Sequence, residues 1–105
     1  MDIEKFSKEV IDTYQEKARY QNRETARIEA VNQHAQAASQ KGELHASNAA
    51  RVARSSIETF REKMADGLDR PDAAKAAARE TSERFDRRGH ATPRHERERS
   101  AGLSL

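Results

Sequence analysis

Four histidines, His34, His45, His90 and His95, and a wide spread of carboxylates are the side chains of this sequence with the most chemistry to offer. A metal ion would need such ligands at helical or turn spacing. The His-Glu-x-x-His pattern is absent, and with no cysteine in the chain there is no thiolate to complete a ligand set. Only His34 and His45, on either side of Gly42, lie near enough in sequence to meet across a turn, and solvated side chains beside a loop explain them as well. A catalytic acid needs an apolar pocket to shift its pKa, and a narrow helical seam makes none. Serine and threonine occur without a nucleophile elbow, and no glycine-rich loop stands ready to cradle phosphate. The residues point away from an enzyme and call for no metal and no cofactor.

Arginine is the remaining chemistry. Arg19, Arg23 and Arg27 fall at i, i+4 and i+8, so one continuous helix would stack them in a row able to track phosphates. Glu16, Glu24 and Glu29 dilute that row. Near the C-terminus Arg87, Arg88, Arg94, Arg97 and Arg99 outnumber Glu96 and Glu98, with His90 and His95 alongside. A basic arm of this kind attracts nucleic acid or an acidic partner at long range. No aromatics interleave with it, so base stacking is not on offer. Its arginine-rich, hydrophilic character also resembles the export signals of type IV secretion substrates. Arg94, Arg97 and Arg99 join the row of three as candidate phosphate contacts.

The elements that must position these groups read as helices throughout. From about Asp2 to Lys41 there is neither proline nor glycine, and Ile3, Val10, Tyr14, Ile28, Val31, Ala35 and Ala38 recur at three- and four-residue steps, with Phe6 close by. Lys17, Gln21 and Glu24 make the middle of that seam polar. Gly42 suits a C-terminal cap. A second helix, about 43–66, carries Ala46, Ala50, Ala53, Ile57, Phe60 and Met64 in heptad steps and stops at Gly67. Pro71 opens a third, about 71–88, whose only large apolar residue is Phe85. It docks through Ala73, Ala77 and Phe85 or stays frayed. The short connection at Gly42 predicts an antiparallel pairing of the first two helices. The expected fold is thus all-α: a long antiparallel helical hairpin, about 60 Å at full extension of the first helix, with a shorter third helix. One helical domain, 1–88, precedes a disordered basic tail, 89–105.

Composition sets the function classes. The chain has 105 residues, 34% hydrophobic and 36% charged, with a net charge of +2. Leu, Ile, Val and Phe together fall well below the ~20% that, with high net charge, marks disorder, but the net charge is small and abundant alanine favours helix over coil. No run approaches the ~20 apolar residues of a membrane span, and the first residues are too charged for a signal peptide. The expectation is a soluble, cytoplasmic protein with no membrane partner. A chain so short of large core residues predicts company, as a homo-oligomer or a hetero-complex. The leading expectation is a non-catalytic protein–protein interaction module, an adaptor, regulator, chaperone or inhibitor that works by coiled-coil-like helix pairing. Phe6, Val10, Tyr14, Ile57, Phe60 and Met64 are its candidate partner-binding residues, together with Tyr20, which lies off the main seam. The alternatives are a nucleic-acid-binding accessory protein using the tail and the arginine row, and a structural subunit that polymerises through open-ended helix pairing.

Overall fold

A computed structural model describes residues 1–87 of the chain. Four helices make up 83% of them, with no strand: α1, Ile3–Ala18; α2, Arg23–Gln40; α3, Ala46–Ala65; and α4, Arg70–Arg87. The expected long first helix is therefore two helices, and the hairpin with a third helix becomes a four-helix arrangement. The reason is local. Asn22 adopts an extended backbone, and its side chain accepts a hydrogen bond from the Thr25 amide at 2.8 Å, capping a new helix with Glu24 in its first turn. The polar stretch Lys17, Gln21 and Glu24 is where the seam gives way.

The other boundaries follow the anticipated signals. Asp2 caps α1 by accepting from the Lys5 amide. Gly42 and Gly67 close α2 and α3 with φ of 73° and 103°, values that L side chains rarely adopt. In both turns the glycine amide and the next amide reach back to orphaned carbonyls: Gly42 to Ser39 and Glu43 to Ala38, Gly67 to Met64 and Leu68 to Lys63. Asp69 caps α4, its carboxylate accepting from the Asp72 amide at 2.9 Å, and Pro71 sits in the first turn.

Side-chain pairings give the topology. Thr13 and Lys17 of α1 meet His34 and Glu29 of α2, so these two run antiparallel. Ser55 and Lys63 of α3 meet Arg84 and Glu80 of α4, again antiparallel. Tyr14 and Phe60, each towards the end of its helix, pack edge to face with ring centroids 6.3 Å apart, which sets α1 and α3 parallel. The chain runs up, down, up, down. Helices α1 and α3 touch each other and both of the remaining helices, whereas α2 and α4 do not meet. Tyr14 and Phe60 come together through this extra turn of the chain, on parallel helices and not on the two arms of an antiparallel hairpin.

The core is enclosed and alanine-rich. Ala26, Ala30, Ala35 and Ala38 of α2 and Ala73, Ala74, Ala77 and Ala78 of α4 are buried against Ile3, Phe6, Val10 and Ile11 of α1 and Val52, Ile57 and Phe60 of α3. Leu44 plugs the α2–α3 connection. Because α3 is covered from three directions, its inward face is wider than one heptad seam. Ala49, Val52, Ser56 and Thr59 are buried with Ala53, Ile57 and Phe60, while Ala46 is exposed and Ala50 and Met64 only part-buried. The Ser56 and Thr59 hydroxyls donate to the carbonyls of Ala53 and Ser55, which satisfies them inside the core. Ile28, expected on the seam, is instead 46% exposed, because the cap at Asn22 resets the phase and turns Ala26 and Ala30 inward.

Candidate binding groove at the turn end of the bundle

The α1–α2 turn and the α3–α4 turn lie at the same end of the bundle. Between them opens a groove of about 830 Å³. Tyr14, Phe60 and Met64 line it together with Ala18 and Ala65, an apolar floor left where α1 and α3 finish. Arg19, Arg23, Arg61 and Arg70 also line it, along with Glu58 and Glu62. Tyr20 stands in the turn between Arg19 and Arg23 and is 80% exposed, far more than Ile28, the other exposed large apolar side chain of the described residues.

The guanidinium groups are not equally committed. Arg19 lies 3.7 Å from Glu16, both well exposed. Glu24 is held below its ordinary range chiefly by the hydrogen bond it accepts from Arg27, with a small contribution from the charge of Arg61, which itself forms no ion pair among the described residues. Arg23 and Arg70 have no carboxylate partner among the described residues. Each opens a helix, α2 and α4 respectively, where the aligned peptide dipoles disfavour a cation. Neither position is explained by the stability of the fold.

The sequence-derived residues are thus partly gathered and partly dispersed. Tyr14, Phe60 and Met64 line one groove at the turn end, and Tyr20 stands exposed in the adjoining turn without lining it. Val10 and Ile57 are fully enclosed, and Phe6, buried but lining a smaller pocket, lies at the opposite end away from this groove. A two-helix hairpin would leave this seam uncovered, and α2 and α4 cover it here. The arginine row is broken by the turn: Arg19 follows α1, Arg23 begins α2, and Arg27 is held by Glu24. Arg61 and Arg70 were missed because only the fold brings α3 and α4 beside Arg19 and Arg23. Arg94, Arg97 and Arg99, with His90 and His95, lie outside the described residues, as does the tail they belong to.

A second, smaller pocket of about 370 Å³ lies at the other end, lined in part by Phe6, Glu9, His34 and Lys41. His34 shares a 2.8 Å hydrogen bond with Thr13 and meets the Phe6 ring edge-on, with centroids 6.1 Å apart. His45 does not join it; it precedes α3 without a side-chain capping bond. Among the described residues no three His, Cys, Asp or Glu side chains are grouped to hold a metal, and no helix is long and apolar enough to cross a membrane.

Burial lowers the pKa of His34, and Lys41 adds to the effect against the opposing charge of Glu9. In the unfolded chain the ring takes up its proton near pH 6.5, the folded chain only at lower pH. Between those values the unfolded state binds more protons, so acidification removes stability. Melting curves from pH 7.5 down to 5 should show wild type losing stability faster than His34→Gln. A gap between the two proteins that stays constant with pH would contradict this.

No family model, no curated protein and no solved structure matches this chain.

Proposed function

We propose that the protein is a non-catalytic protein-binding module whose working surface is the turn end of the bundle. The observation that carries this reading is Tyr20, 80% exposed in the turn whose flanking residues Arg19 and Arg23 line a groove floored by Tyr14, Phe60 and Met64. Aromatic and arginine side chains together are what protein interfaces concentrate at their energetic centres. An exposed tyrosine contributes nothing to this core, so the fold does not account for it. The groove offers shape and apolar contact without a nucleophile, a metal set or a general acid in an apolar pocket. The acting residues in this reading are Tyr20, Met64 and the groove arginines, supported from beneath by Tyr14 and Phe60.

The test is quantitative affinity capture from source cells with wild type and Tyr20→Ser as parallel baits. A partner recovered by wild type should bind the variant about 2 kcal/mol more weakly, a factor of roughly thirty. Helix content and melting temperature of Tyr20→Ser should be unchanged, because the side chain is outside the core. Partners recovered equally by both baits would overturn the assignment of this surface.

A further inference from the structure

Resting on that reading of the groove, we infer that its occupant is an acidic, amphipathic segment of another protein, its carboxylates meeting Arg23 and Arg70 and its apolar side chains lying on Tyr14, Phe60 and Met64. The charge count favours a negative ligand: four guanidinium groups line the groove against the carboxylates of Glu58 and Glu62. Glu58 is itself opposed by Arg27. Of these, Arg23, Arg61 and Arg70 form no ion pair among the described residues, and Arg23 and Arg70 open α2 and α4, which do not touch. Guanidinium groups pair with carboxylates in two-point, charge-assisted geometry. Both arginines also sit at helix starts, where their charge opposes the helix dipole. A bound carboxylate at either place would answer both the dipole and the guanidinium.

A polypeptide fits better than a nucleic acid. The duplex backbone carries one negative charge per ~1.7 Å of axis, and such a dense row laid along the groove would meet Glu58 and Glu62. A peptide spaces its carboxylates and can turn apolar residues towards the floor. That floor has no use in a phosphate-tracking site. Basic or neutral peptides would leave Arg23 and Arg70 desolvated and unpaired, which is costly.

The test is a display selection of random peptides about 16 residues long, enough for ~24 Å of helix, on the full chain. Binders are re-measured by fluorescence anisotropy on wild type, Tyr20→Ser and Arg23→Glu/Arg70→Glu, with a short duplex DNA titrated in parallel. The expected pool is net negative with apolar residues at three- and four-residue steps. Its affinity should fall roughly tenfold or more in the arginine double variant, whose melting temperature should be equal to or above that of wild type because glutamate suits a helix start. Melting therefore separates lost binding from lost folding. A pool of neutral or basic peptides that still depends on Tyr20 would overturn the acidic class and leave the groove as an interface. Duplex DNA bound through Arg23 and Arg70 in preference to any peptide would overturn it as well. Failure to enrich any peptide would count against both this inference and the binding-module reading.

Discussion

Ile57→Asp is expected to abolish the helical fold. Ile57 is fully buried at the middle of α3, which like α1 touches all three other helices. An aspartate there either keeps its charge in an apolar interior or is protonated, and both states cost free energy. The penalty, about 4 kcal/mol or more including the lost packing, is comparable to the whole stability of a small domain, roughly 5–15 kcal/mol. Far-UV circular dichroism should show a largely unfolded chain at neutral pH. Ile57→Val, which keeps the apolar contact, should cost only about 1 kcal/mol. A helical, cooperatively melting Ile57→Asp protein would mean that α3 does not occupy the centre of the bundle. Lost binding in this variant would be uninformative about the interface, since the groove goes with the fold; Tyr20→Ser carries that question.

The same residue shows what could be read from the chain and what could not. Ile57, Phe60, Val10 and Tyr14 stand out as apolar positions at helical spacing, and the structure buries all four. Whether they face inward or face a partner depends on how many helices surround them, and spacing on one helix does not say. The deciding element was Asn22. Without a glycine or proline nearby, the stretch 2–41 looks continuous, but an asparagine followed by Glu24 is a helix start as good as Pro71. One missed cap changed three helices into four, supplied a cover for α1 and α3, and moved Ile28 out of the core.

Alanine was the second obscured signal. Ala26, Ala30, Ala73 and Ala77 are each 0% exposed, yet in a count of large apolar residues they contribute nothing. They matter because a small side chain lets two helix axes approach, replacing bulk with close backbone packing. A chain judged poor in core by its leucines and phenylalanines is better provided when its alanines are all turned the same way. Tyr20 was legible as an outlier from the seam, and the structure leaves it exposed. Arg61 and Arg70 were not legible as companions of Arg23, because that relation exists only after α3 and α4 have folded back.

Phe85→Ala is the second change expected to act strongly, because α4 has no other large anchor. Its buried positions are Ala73, Ala74, Ala77, Ala78, Thr81 and Phe85, and Phe85 is 2% exposed. Truncating a buried phenylalanine costs about 3–5 kcal/mol, or a melting point lower by roughly 15 °C or more for a domain of this size. The surface pair of Lys63 and Glu80, 2.6 Å apart, cannot compensate, since exposed ion pairs are worth about 0–1 kcal/mol. Hydrogen exchange should show where the loss falls. Since α4 covers both α1 and α3, protection should drop in all three helices together, with the α2 amides following as the bundle opens. If α4 alone lost protection while α1 and α3 kept theirs, the first three helices would be a self-sufficient unit and α4 an accessory. The groove makes that distinction functional: Arg70 is the first residue of α4, so a helix that detached on its own would carry one of the groove's unpaired guanidinium groups away from the others.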